Sequence, residues 1–223
     1  MKNRLILTTL LGFVFFFSNF AQNLQDSVTD ADKNVYHTVV IGNEIWMVEN
    51  LKTTHYNNGD PIPQISNPTQ WSYQTIGAYC DYKNEPDNAE VYGRIYNWFA
   101  VNDSRKICPS GFHVPTNAEW GTLIVNLGDS IKAVNSMKEA GSLHWKGKNK
   151  SSTNSSGFTA LPGGFRAFEG TFVLFGKGAY WWAADANKEK EAYYTFIFSG
   201  RETIGRASGD KEPGNSVRCL KDK

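Results

Sequence analysis

The sequence predicts an α+β fold in which two or three helices pack on short, irregular antiparallel sheets. Three observations carry this expectation. Helical periodicity is confined to a few segments, the strongest of them after Thr116. From Gly157 onward the pattern is extended, with short apolar and aromatic runs separated by glycine-containing turns. Glycine is frequent, 20 of 223 residues, which suits a chain that must turn tightly and often.

The organising stretch runs from Cys108 to Gly128, CPSGFHVPTNAEWGTLIVNLG. Thr116 is followed three residues later by Glu119, a capping box in which each side chain satisfies an orphan backbone N–H. Trp120, Leu123, Ile124 and Leu127 then recur at helical spacing, and Gly128 offers a left-handed stop.

Taken in order, the chain begins with a short basic start, Met1-Lys2-Asn3-Arg4, and an apolar run from Leu5 to Phe17. This run is shorter than the roughly 20 residues a membrane span needs. Residues 1–21 read as a secretory signal peptide cleaved after Ala21. The expected destination is therefore the periplasm, the cell surface or the medium, with no stable membrane span in the mature chain. Residues 22–33 are polar and read as a tether. Residues 34–223 suit a single domain.

Within that domain, Val35 to Ile41 reads as a strand with Val35, His37, Val39 and Ile41 on one face. Gly42-Asn43 supplies a hairpin turn and Glu44 to Val48 the return strand. Residues 49–76 read mostly as loop, and Gly77 to Tyr82 as a strand. Asp87 and Glu90 form a second capping box, followed by a helix from Ala89 to Val101 with Val91, Ile95, Trp98 and Phe99 on one stripe. A weaker helix is expected from Asp129 to Gly141, and an exposed polar loop from Trp145 to Ser156. Strands follow at Phe158–Leu161, Thr171–Phe175, Ala179–Ala183, Ala192–Ser199 and Ile204–Ser208, with Ser216–Leu220 closing the chain.

The formal net charge is +1, with charges scattered along the chain, which argues against nucleic acid or a charged membrane face as partner. Aromatic residues make up 14% of the chain, enough to supply both a core and a binding surface. Candidate surface aromatics are Trp71, Tyr73, Trp145, Tyr180, Trp181 and Trp182. Trp71 and Trp145 sit among polar residues and are expected to be exposed; of Trp181 and Trp182, at least one should face inward. Trp71, Trp145, Trp181 and Trp182 are the ligand-binding candidates.

Three cysteines leave one unpaired or in an intermolecular link. The favoured structural disulfide joins Cys108 to Cys219 across a loop of about 110 residues, worth roughly 4–5 kcal/mol in the chain-entropy account. Cys80 is then a buried free thiol. The alternative, a reactive or metal-binding pair, lacks a CxxC or His-Cys spacing. The four histidines, His37, His55, His113 and His144, are spread widely. His37 is expected to be an exposed strand residue, and the His113 ring to bond a backbone carbonyl and fix its loop. Arg166 and Arg218 are expected to hold irregular loops through backbone carbonyls. Asp81, Asp87, Asp129 and Asp185 are too scattered for an EF-hand, so calcium is left unassigned and no other metal or cofactor is expected.

The segments IGNEIWMVENLKTTHYNNGDPI, GAYCDYKN, VYGRIYNWFAVN, CPSGFHVPTNAEW, GFTALPGGFR, GAYWWAA and NSVRCL appear in this order. In this the chain resembles the Fibrobacter succinogenes major paralogous domain family of secreted bacterial proteins, from about Val28 to the end. HVPTNAEW, LPGGFR and SVRC are also similar to segments of the formylglycine-generating enzyme family. That fainter resemblance implies a C-type-lectin-like fold with both termini near one another. The oxidase of that family uses a late pair of copper-binding cysteines, whereas here only Cys219 lies late, so no catalytic residue is carried over. The leading expectation is an exported, non-catalytic module that binds a polysaccharide or a cell-surface protein. The alternatives are an oxidase of the formylglycine-generating type or another enzyme, and an envelope scaffold joined through Cys80 or strand edges.

Overall fold

A computed structural model describes residues 24–147, 149 and 151–223; the signal peptide assigned to residues 1–21 lies outside them. The fold is α+β, with few helices and three curled antiparallel sheets. Strands and helices are numbered along the chain.

The first sheet holds β1 (Leu24–Thr29), β2 (Val35–Ile41), β3 (Glu44–Met47), β13 (Leu220–Lys221) and β6 (Phe112–His113), in that spatial order. The β2–β3 hairpin forms as the sequence predicts, with Ile41 opposite Glu44. Its Gly42 has φ 65° and packs against the Asn126 side chain, so the turn needs glycine both for backbone and for space. β1 is a correction: the polar 22–33 segment is not a plain tether, because Leu24–Thr29 pairs antiparallel with β2 along the sheet edge. β2 spans Val35–Ile41 as the sequence predicts, and along it Val35 and His37 are exposed while Tyr36, Thr38, Val39 and Ile41 are buried. The strand is buried on both faces, so strict alternation does not apply.

The second sheet holds β4 (Tyr79–Cys80), β5 (Ile95–Asn97), β12 (Gly214–Asn215), β7 (Phe165–Arg166) and β8 (Phe172–Val173). The third is a meander of β9 (Gly178–Ala186), β10 (Glu191–Phe198) and β11 (Gly205–Asp210). Single bridges, Gly164 to Ala179 and Trp181 to Ser216, tie the second sheet to the third. The C-terminal segment does not form one strand over Ser216–Leu220: it splits into β12 and β13, each in a different sheet. Phe158–Leu161 forms no strand, only a bridge from Ala160 to Lys138.

The helices are α1 (Pro68–Ser72), α2 (Pro86–Tyr92), α3 (Trp98–Val101), α4 (Asn117–Asn126) and α5 (Ser130–Met137). The capping box at α4 is present with both bonds, and Asp129 caps α5 through the N–H groups of Ile131 and Lys132. The helix expected over Ala89–Val101 is broken. Gly93 adopts φ 74° and ends α2, Ile95–Asn97 becomes the strand between β4 and β12, and α3 restarts at Trp98. Asp87 and Glu90 form no capping box: Glu85 is the N-cap, and the Glu90 carboxylate pairs with Lys52 at 2.6 Å.

Trp46 and Met47, adjacent in β3, point to opposite faces of the first sheet and into two separate clusters. One contains Tyr36, Tyr96, Trp98, Trp182 and the Cys108–Cys219 disulfide, whose Cα atoms are 5.9 Å apart. The other is an aromatic stack in which Trp120 lies 5.0 Å from Trp46 and 5.7 Å from Trp181, ring centre to ring centre.

Candidate functional site

Strand register builds one face of the third sheet almost entirely from aromatic rings. Tyr194, Phe196 and Phe198 alternate along β10, so all three project to one side. Their partners on β9 are Trp182, Tyr180 and Gly178. On β11 the residues opposite Tyr194 and Phe196 are Ala207 and Gly205, with Gly209 beyond. These small residues let the rings lie across the neighbouring strand: a Cβ at Gly205 would collide with the Phe196 ring. Phe165 from β7 extends the row.

The rings contact one another closely. Tyr180 stacks on Phe196 with centroids 5.7 Å apart and planes 19° from parallel, and Phe165 lies 4.7 Å from Tyr180. Phe198 and Tyr194 flank the pair. Trp182, at one end, is buried in the first core cluster. Toward Tyr180 the face leaves the core, and Phe165, Tyr194, Phe196 and Phe198 are all half-buried, with ring surface open to water. The Arg201 guanidinium stands over Phe196 at 5.8 Å. Burial raises the pKa of both Tyr180 and Tyr194, so each keeps its hydroxyl proton at neutral pH. The arrangement is a surface of stacked, tilted and edge-on aromatic rings with hydroxyls and one cation beside it. Such a surface can stack against an apolar molecular face and donate hydrogen bonds beside it.

Of the predicted ligand-binding residues, Trp182 stands at the buried end of this face and Trp71, Trp145 and Trp181 lie elsewhere. Trp71 and Trp145, expected to be exposed, are 0% and 2% exposed. α1 turns the Trp71 indole into a cluster with Cys80, Tyr82 and Ile95, and the Arg166 guanidinium covers it at 4.5 Å. Trp145 donates its N–H to the Ala160 carbonyl at 2.9 Å, and the Lys138 ammonium sits 4.1 Å above the ring. In both cases a cationic side chain lies over the indole, so polar neighbours in the sequence do not imply an exposed ring. Trp181 and Trp182 are both buried, their indole N–H groups donating to Asn50 Oδ1 and the Tyr96 carbonyl at 2.8 Å each. Tyr73 is 80% exposed.

Other polar groups are structural. Arg166 donates to the carbonyls of Ile65, Ser66 and Gly170, and Arg218 to the Phe158 carbonyl and Asn50 Oδ1. His113 bonds carboxylates, not a carbonyl: Nδ1 meets Asp222 at 2.7 Å and Nε2 meets Glu119 at 3.1 Å. His37, exposed as expected, pairs with Glu49. Asp32, Thr54 and His55 cluster, but the Thr54 hydroxyl and Asp32 both meet the same ring nitrogen of His55. A nucleophile–base–carboxylate chain uses the two ring nitrogens in turn, so this cluster clamps a loop.

Cys80 is fully buried, and burial pushes its thiol up to about 12. It cannot form the intermolecular link that a Cys80-joined scaffold needs without local unfolding. Asp81 pairs with Arg94, and Asp185 accepts the Asn117 N–H. Among the described residues no three His, Cys, Asp or Glu side chains converge as a metal site, and no helix is long and apolar enough to cross a membrane.

The sequence named Tyr180 and Trp182 of the aromatic face singly as candidates, but not the β10 rings Tyr194, Phe196 and Phe198 beside them. The signal of the face was the period-two run Tyr194, Phe196, Phe198 read together with Gly205, Ala207 and Gly209. No curated protein and no solved structure matches the chain. The family model of the Fibrobacter succinogenes major domain matches residues 39–221, most of the chain. The protein therefore belongs to the Fibrobacter succinogenes major domain family.

Proposed function

We propose that the protein is an exported, non-catalytic module that binds a glycan on the aromatic face of its third sheet. The observation that carries this reading is the half-buried rings Phe165, Phe196 and Phe198 gathered around the buried Tyr180, with Phe196 lying over Gly205 of β11. The C–H face of a pyranose ring stacks on such a surface, while its equatorial hydroxyls reach polar groups at the margin. A rigid sheet holds the rings in place before binding, which lowers the ordering cost. Two points support the wider reading. The Cys108–Cys219 disulfide suits an oxidising compartment outside the cytoplasm. The first and last strands share one sheet, as a C-type-lectin-like scaffold requires. The oxidase alternative needs a pair of free thiols, whereas two of the three cysteines are joined and the third is buried.

Affinity electrophoresis in gels containing xylan, mixed-linkage glucan or pectin tests the reading. The wild-type protein should be retarded by at least one of these polymers. A Phe196→Ala, Phe198→Ala variant should lose the retardation while retaining its fold. Equal retardation of both proteins would remove the aromatic face from the site.

A further inference from the structure

A cleft of about 560 Å³ opens between the end of α5 and the β10–β11 turn, lined by Val134, Asn135, Lys138, Ser151, Arg201 and Glu202. Its size is in the range of small-molecule sites, about 300–1,000 Å³. Lys138 is the unusual member. It follows the last residue of α5, and its side chain is folded inward, leaving the residue 2% exposed. Among the described residues its ammonium has no carboxylate within ion-pair distance and no hydrogen-bond acceptor; its neighbour is the π face of Trp145, 4.1 Å away. A largely buried cation that faces an aromatic ring on one side and the cleft on the other is incompletely compensated by the described residues. Consistent with this, burial lowers the Lys138 amine to about 8.

The same cleft holds a second cation, Arg201, whose guanidinium also stands over Phe196 of the aromatic face. Arg201 thus joins the cleft to that face. Glu202 and Asn135 complete the polar lining. Two cations favour an anion. A carboxylate at the same rim disfavours a dianion such as phosphate, and it asks for hydroxyl donors nearby. A ligand with one carboxylate and several hydroxyls meets all of these conditions.

We propose that this cleft is a carboxylate-binding subsite for a uronic acid, in which Lys138 and Arg201 pair with the carboxylate and Asn135 and Glu202 take ring hydroxyls. The choice of a sugar rests on the glycan-binding reading; the choice of a carboxylate rests on the cleft alone.

The test uses trigalacturonate as the acidic probe and galactotriose as its neutral counterpart, both titrated into the full domain by calorimetry. Trigalacturonate should bind and galactotriose should bind more weakly. Lys138→Met and, separately, Arg201→Ala should each weaken trigalacturonate roughly ten- to a hundredfold. The NMR titration of the Lys138 Nζ signal gives a readout independent of the variants. Its midpoint should move upward with trigalacturonate, because the carboxylate stabilises the charged amine, and stay fixed with galactotriose. An unmoved midpoint together with unchanged affinity in both variants would overturn the proposal. Equal binding of poly-glutamate through Lys138 would overturn the sugar assignment in favour of an acidic protein. If the Phe196→Ala, Phe198→Ala variant keeps its polymer retardation while Lys138→Met loses trigalacturonate, the aromatic-face reading fails and the cleft stands. The reverse pattern sinks the cleft and leaves the face.

Discussion

Trp181 and Arg218 share one acceptor. The side-chain oxygen of Asn50 receives the indole N–H at 2.8 Å and the guanidinium at 2.7 and 3.1 Å. All three residues are buried, and the guanidinium also lies 4.1 Å over the Phe158 ring. Burial lowers the Arg218 pKa to about 9, which leaves it charged at neutral pH. Removing Asn50 Oδ1 strands a buried cation and an indole donor together. Asn50→Ala should therefore cost about 3–5 kcal/mol, read as a lower urea midpoint at unchanged slope. A loss under 1 kcal/mol would show that water replaces the amide.

Lys138 makes the opposite kind of contribution. Its folded pKa lies below the unfolded value, so the folded state loses its proton first as pH rises. Stability should increase between about pH 8 and 10.5, where the unfolded chain holds the proton and the folded chain does not. Lys138 lines an open cleft rather than the closed core, so we expect about 1–2 kcal/mol. Lys138→Met should gain a similar amount at pH 7 and abolish this rise, measured by chemical denaturation across the pH range.

Glu119 behaves as a carboxylate held ionised. Burial opposes its charge, but the Thr116 backbone N–H and hydroxyl and the His113 ring outweigh that and lower its pKa. Its stabilisation is present above the unfolded value of 4.5 and is lost as pH falls through the lower folded value. Glu119→Gln should cost about 1 kcal/mol at pH 7 and flatten the acid limb of the stability profile. An unchanged acid limb would assign that sensitivity to other carboxylates.

The disulfide closes a separation of 111 residues inside the first core cluster. Replacing Cys108 and Cys219 by serine should lower stability by about 2–5 kcal/mol. The variant should also expose apolar surface more readily in dye-binding melts, whereas Cys80→Ala should shift the melting temperature far less.

Trp145→Ala removes a buried indole, so its expected effect is on folding, about 3–5 kcal/mol, rather than on a surface contact. This shows where the sequence was readable and where it was not. Features set by neighbours a few residues apart were legible: the Thr116–Glu119 box, the turn at Gly42 and the alternating run of β10. The Cys108–Cys219 pairing was legible too, because three cysteines leave few choices. What failed were placements decided by distant contacts. Val91, Ile95 and Trp98 share a helical period, yet Gly93 interrupts the helix and pairing with β4 and β12 captures Ile95. Trp71 and Trp145 have polar neighbours in sequence, and their burial depends on Arg166 and Lys138 folding over them. The aromatic face depends on which β11 residues stand beside β10, a register that composition does not reveal.

The place of β13 between β3 and β6 sets the order of events during biosynthesis. The middle of the first sheet is supplied by residues 220–221, so Trp46 and His113 find their shared partner only after those residues have been made. Pairing in the middle of this sheet cannot be completed before residues 220–221 have been made, and such long-range pairing folds slowly. The disulfide, one residue before that strand, locks the sheet when its two thiols are oxidised.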